Sequence, residues 1–145
     1  MRALTWRGVR DIRHEDVPDP ALRNDGDAIV RVERAGLCGS DLHVYHGREL
    51  GLDVGTVMGH ELVGRVVDAG PSVRRHAIGS RVVAPFRTCC GTCFFCRRGL
   101  SARCPEGQLF GWVQGGAGLH GAQAELVRVP HADASLVAAS PGTGF

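Results

Sequence analysis

The sequence predicts a mainly β domain: a barrel or sandwich of short strands with short helices, carrying one projecting loop that four cysteines tie to a metal. Three observations predict it. Apolar stretches are brief and alternate with charge. Glycine supplies 21 of the 145 residues and falls, with proline, asparagine and aspartate, between those stretches. Cys90, Cys93, Cys96 and Cys104 stand in the spacing C-x2-C-x2-C-x7-C.

Taken in order, strands are expected over residues 28–32, 63–67, 81–83 and 124–129, each short and flanked by turn residues. The turns are Pro18-Asp19-Pro20, Asn24-Asp25-Gly26-Asp27, Gly70-Pro71-Ser72 and Gly79-Ser80. No helical period outlasts about two turns. A short helix is expected over 40–45, with Ser40 or Asp41 near its start. Residues 1–137 are expected to form one domain, with the cysteine lobe at about 84–111 and a loose tail at 138–145.

Four thiolates so close in sequence can converge on one tetrahedral Zn²⁺, with bonds of about 2.3 Å. The alternative is a disulfide lobe, since six cysteines allow about 15 full pairings. The first residues lack the apolar centre of a signal peptide, and no run approaches the roughly 18 apolar residues of a membrane span. The expected location is therefore the reducing cytoplasm, which favours thiolate and metal over disulfide. Arg87, Arg97, Arg98 and Arg103 surround the quartet; they offset the charge of a tetrathiolate centre or simply solubilise the surface, and the sequence leaves both open. Cys89, adjoining Cys90, reads as a buried or free thiol.

The formal net charge is +2 and the basic residues are scattered, so neither nucleic acid nor membrane is indicated as a partner. A small-molecule site is expected. The length suits one domain and is too short for a catalytic domain plus a full dinucleotide-binding domain. Gly116-Ala117-Gly118-Leu119-His120-Gly121 matches G-x-G-x-x-G, but an alternating strand pattern follows where the fingerprint needs a helix, so it reads as a glycine-rich turn.

A second metal constellation lies upstream, with Cys38 in A-G-L-C-G-S-D-L-H and His60 in G-H-E-L-V-G. Alone the pair proves little, because a small buried cysteine and a satisfied core histidine are ordinary. Asp41 adds to it as a carboxylate able to accept the free N–H of a metal-bound His60. Gly59 and Gly64 let backbone crowd near the site.

The run 38–43, the G-H-E-x-x-G of 59–64 and the later cysteine quartet, in that order, resemble the zinc-dependent medium-chain alcohol dehydrogenases. The likeness extends from M-R-A-L-T-W-R-G and V-P-D-P to G-A-Q-A-E-L-V-R-V-P, and within the family is nearest the glutathione-independent formaldehyde dehydrogenases and their threonine- and polyol-oxidising relatives. It implies a GroES-like, partly open β-barrel with a zinc lobe, forming a catalytic domain. It further implies Cys38 and His60 as ligands of a catalytic zinc, Glu61 as an occasional ligand, Ser40 and His43 as a proton relay, Gly39 along the cofactor pyrophosphate, and Cys90, Cys93, Cys96 and Cys104 on a structural zinc. Zn²⁺ and NAD(P) are the implied cofactors, and an alcohol or aldehyde the implied substrate. The family's third catalytic-zinc ligand and its Rossmann domain have no counterpart in these residues, so this chain is expected to be inactive without a nucleotide-binding portion. Ser80 stands where the family usually has Asp. The competing reading is a free-standing GroES-like zinc-binding domain with a binding or scaffolding role and no redox turnover; the retained Ser40, Asp41, His43 and Glu61 favour catalytic ancestry.

Overall fold

The computed structural model describes residues 1–139. Ten strands dominate: β1 (Arg2–Gly8), β2 (Asp11–Asp16), β3 (Ala28–Ala35), β4 (Thr56–Val57), β5 (Leu62–Ala69), β6 (Arg81–Ala84), β7 (Trp112–Gln114), β8 (Ala117–Leu119), β9 (Leu126–Val129) and β10 (Val137–Ala138). Between them lie the helices α1 (Gly39–Tyr45), α2 (Phe94–Arg97) and α3 (Ala132–Ser135), and a 3-10 turn at Ser101–Arg103. A five-stranded antiparallel sheet in the order β10-β6-β5-β3-β9 is the main body, beside a three-stranded sheet β2-β1-β4 and the hairpin β7-β8. The expected mainly β architecture is the observed one.

The four expected strands are β3, β5, β6 and β9. They alternate apolar residues onto one shared interior: Ala28 and Val30, Leu62 and Val66, Val82, and Val127 and Val129 meet Phe110, Leu119 and Leu136. Burial at this level contributes roughly 25 cal/mol per Å² of apolar surface and drives closure of the sheet. β3 and β5 approach closely at Gly64, where any Cβ would overlap the Arg31 carbonyl. A smaller core of Val44, Leu52 and Met58, flanked by Trp6, Ile12 and Trp112, fixes α1 against the N-terminal hairpin.

The sequence pattern hides β1 and β2. Along β1 the inward residues are the small Ala3 and Thr5, both buried, while larger Leu4 faces out, so the apolar alternation that marks a strand is inverted. β2 is a polar edge strand, D-I-R-H-E-D. The turn at 24–27 forms as expected, and its Asp27 is buried: the carboxylate accepts from the Arg23 and Asn24 amides and pairs with Arg128 at 2.8 Å. Those bonds satisfy a charge that would be costly to bury alone. Ala138, expected in a loose tail, instead pairs with Val82, and the Ala139 amide donates to the Arg81 carbonyl. Residues 140–145, the remainder of that expected tail, lie outside the described residues.

The glycine-rich match at 116–121 is a hairpin, as the strand pattern indicated. Gly115 and Gly116 turn between β7 and β8 with φ of 60° and 75°, conformations that suit glycine. Asp53 clamps that turn, accepting from the Gly115 amide at 2.9 Å and the Gly116 amide at 2.7 Å. Its own amide donates to the Val113 carbonyl at 2.8 Å. The Gly116 and Gly115 amides hold the Asp53 carboxyl below its ordinary range. Because the folded carboxyl titrates below its unfolded value, the clamp's contribution is complete above the ordinary carboxylate range and is lost as pH falls through the folded carboxyl's titration. Asp53→Asn is therefore expected to lower the melting temperature near pH 7 and to converge on the parent as pH drops toward 3. Equal gaps at both pH values would contradict the clamp.

Candidate metal centre

The expected short helix is α1, with Ser40 and Asp41 in its first turn and Cys38 as its cap. The Cys38 sulfur accepts from the Ser40 amide at 3.4 Å, and the Asp41 carboxylate accepts from the Cys38 amide at 2.9 Å, a reciprocal capping box. This cap turns the sulfur across to His60, whose Nε2 lies 3.1 Å from it. His60 reaches that position from the segment between β4 and β5, where Gly59 takes φ of 93°. The Gly121, Ala122 and Gln123 amides donate to the carbonyls of Val57, Gly59 and Met58 and lock the segment. A Cβ at Gly121 would overlap Met58 and Gly59 backbone, so this glycine of the rejected fingerprint serves close packing.

Cys38, Asp41 and His60 bring ligand atoms within 4.8 Å of one another. They do not face one point equally. Asp41 has one oxygen on the Cys38 amide and the other 3.8 Å from His60 Nδ1, on the side of the ring away from the sulfur. That separation is longer than the expected hydrogen bond, and the carboxylate acts there as an electrostatic guide to the ring. Asp41 is buried, with 5 % of its surface exposed.

The pair sits in a cleft of about 460 Å³, within the range of small-molecule sites. Ser40 and Glu61 also line it, while Val44, Met58, Phe86, Leu109, Phe110 and Trp112 supply apolar walls. Glu61 is exposed and its carboxylate lies over Gly36, apart from the three grouped ligands. Gly39 has open space where a Cβ would stand, and His43 is exposed one turn further along α1. Sequence reasoning did not find Glu49 or the aromatic wall, because the residues are far apart in the chain and join only through the lobe base and the β7-β8 hairpin.

The sulfurs of Cys90, Cys93, Cys96 and Cys104 likewise lie within 4.8 Å of one another, on a lobe pinched off where Thr88 and Gln108 exchange backbone hydrogen bonding and a side-chain bond. All six cysteines are free thiols. Backbone amides point at the sulfurs: Cys90 N to Cys104 Sγ at 3.3 Å, Cys93 N to Cys90 Sγ at 3.4 Å, and Cys96 N to Cys93 Sγ at 3.5 Å. Thr92, through its backbone and its hydroxyl, and the Cys93 amide lower the Cys90 thiol to about 6. Cys96 is pushed up to about 12 by desolvation and by its Cys93 neighbour. Without a cation, four crowded sulfurs cannot all carry charge; the donor set and its spacing fit a divalent soft-ligand metal.

Arg87, one of the residues left open, is a strut: its guanidinium donates to the carbonyls of Ala102, Cys104 and Gly107. Arg98 stacks over the Phe94 ring at 3.8 Å. Cys89 stays outside the quartet, its amide bonded to Ser135 and its thiol to the Ala134 carbonyl.

Among the described residues no helix is long and apolar enough to cross a membrane. Residues 24–140 match the family model of the alcohol dehydrogenase GroES-like domain. A medium chain reductase/dehydrogenase from an Acremonium species is 46 % identical over 98 % of this chain and 47 % of its own length. Zinc-type alcohol dehydrogenase B of Aspergillus flavus is 42 % identical over 98 % of this chain and 32 % of its own. The chain thus spans less than half the length of these relatives. The solved alcohol dehydrogenase TADH from Thermus sp. ATN1 superposes with a TM-score of 0.91 at 40 % identity, over 97 % of this chain and 40 % of that one. The cap-and-cleft geometry, the cysteine lobe and these matches together make the chain a member of the alcohol dehydrogenase GroES-like domain family.

Proposed function

We propose that the chain is the catalytic portion of a zinc-dependent, NAD(P)-linked alcohol dehydrogenase, which interconverts an alcohol and an aldehyde by hydride transfer together with a nucleotide-binding portion. The observation that carries this reading is the 3.1 Å approach of Cys38 Sγ to His60 Nε2 inside a cleft with apolar walls. Sulfur and imidazole are the donor types of catalytic zinc. Cys38 and His60 would hold the ion, with Glu61 as an intermittent third donor, and zinc so held would supply Lewis acidity toward an alcohol oxygen.

The chain's own residues do the rest. Asp41 orients the His60 ring. Ser40 lines the cleft and lies three residues before exposed His43, so both fall on one face of α1. A proton leaving the alcohol would pass to the Ser40 hydroxyl and from His43 to water. Phe86, Leu109 and Trp112 restrict water at the reacting carbon. Gly39 leaves the backbone at the start of α1 bare, which suits close approach of a cofactor's pyrophosphate. The quartet of Cys90, Cys93, Cys96 and Cys104 would hold a second, structural zinc.

The quartet is a complete donor set, whereas the cleft pair lacks a committed third ligand, so the two sites should differ in grip. Structural zinc in small domains couples about 10–16 kcal/mol to folding. Metal analysis after mild chelation is expected to find one zinc per chain. Cys93→Ser should abolish it and unfold the lobe, while His60→Ala should retain both; the opposite ranking in metal content and melting would reverse the assignment.

With metal fully stripped, alkylation near pH 6.5 should reach Cys90 first and Cys96 last among the quartet, since the thiolate is the reactive form. Peptide mass spectrometry reads that order. The chain alone, given alcohols and NAD⁺, is expected to form no NADH; sustained turnover would show that it needs no nucleotide-binding partner.

A further inference from the structure

We propose that the cleft selects cationic alcohols, amino alcohols above all, and that Glu49 is the side chain that selects them. The proposal rests on the alcohol-oxidising reading above and adds its substrate class. Three carboxylates line the cleft, those of Asp41, Glu49 and Glu61, and no arginine does among the described residues. Asp41 is committed to the Cys38 amide and the His60 ring. Glu49 and Glu61 have no ion pair or side-chain hydrogen bond among the described residues, although the chain carries 17 arginines and most of its other acidic side chains in strands and turns have found partners.

Glu61 lines the cleft with its carboxylate turned over Gly36, apart from the ligand pair. Glu49 comes from the loop after α1 and shares the cleft with Phe86 and Trp112. A carboxylate and aromatic rings lining one cleft are the groups that recognise an ammonium ion, by Coulomb attraction and by the ring quadrupole. A hydroxy acid or sugar phosphate would instead bring its distal charge toward Glu49 and Glu61, with no arginine in this cleft lining to receive it. In the reaction, the carbinol C–H bond breaks with its electron pair passing as hydride to the nicotinamide. The hydroxyl proton leaves through Ser40, and the ammonium group is unchanged.

The test uses the zinc-loaded chain and three alcohols of one shape: benzyl alcohol, cationic 4-(aminomethyl)benzyl alcohol and anionic 4-(hydroxymethyl)benzoate. Quenching of tryptophan emission reports binding, because Trp112 lines the cleft. At low salt the cationic member is expected to bind about three- to tenfold more tightly than the neutral one, and the anionic member more weakly than either; added salt narrows the spread. Glu49→Gln, an isosteric change on an exposed loop residue, should bring the cationic-to-neutral ratio close to one. Glu49→Arg should favour the anion, and melting curves check that each variant is folded.

An unchanged ratio in folded Glu49→Gln, or no saturable quenching by the cationic alcohol, overturns the proposal. A fourth probe, 4-methylbenzylamine, separates it from the reading beneath it. If this amine, which has no hydroxyl, binds as well as the amino alcohol and without regard to zinc, the alcohol reading fails while charge selection by Glu49 stands.

Discussion

The hydrogen bond from the Cys38 amide to the Asp41 carboxylate is the constraint on which the site depends. It closes the first turn of α1 and so fixes where the Cys38 sulfur points. The same carboxylate then faces the far nitrogen of the His60 ring. One buried acid therefore sets both candidate ligands, from two segments far apart in the chain. The helix is only seven residues long, too short to persist by its own propensity, and the cap together with Val44 in the small core is what keeps it.

The other half of the site is held by backbone crowding. Val57, Met58 and Gly59 are pressed against residues 121–123 by three backbone hydrogen bonds, with no room for a side chain at Gly121. The chain thus spends glycines where two backbones must touch, and their motif-like spacing is a by-product of that packing. A dinucleotide fingerprint needs a helix amide cluster at the same place, whereas here the amides of Gly115 and Gly116 are already bonded to Asp53.

How much could be read from the sequence follows from what each residue must do. The quartet was legible because cysteine spacing alone encodes convergence, and β3, β5, β6 and β9 because their inward residues are large and apolar. β1 was not legible, since Ala3 and Thr5 fill its inward face and give no periodic signal. Cys38 and His60 carried weight only through the neighbouring Asp41 and the resemblance, for a lone cysteine and a lone histidine have no spacing to read. Cys38 as the helix cap escaped the sequence reading because cysteine is not among the favoured caps. Arg87, which the sequence left open between counter-ion and surface residue, is a carbonyl strut, a role that depends on where the lobe returns to the barrel.

The lobe also bears on the cleft. Of its helical segments, neither α2 nor the 3-10 turn has a buried residue, and Phe94 and Leu100 are exposed. It has almost no apolar core, so coordination of the four sulfurs would stand in for one. Its base, however, is built from the two chain segments that run into Phe86 on one side and Leu109 and Phe110 on the other, three of the cleft's apolar walls. Phe110 is itself buried in the main core and bonded through its amide to the Phe86 carbonyl. Loss of the quartet would free Phe86 and Leu109 first while Phe110 stayed anchored in the barrel. A metal held by the quartet would thus shape the cleft by keeping one wall of it closed.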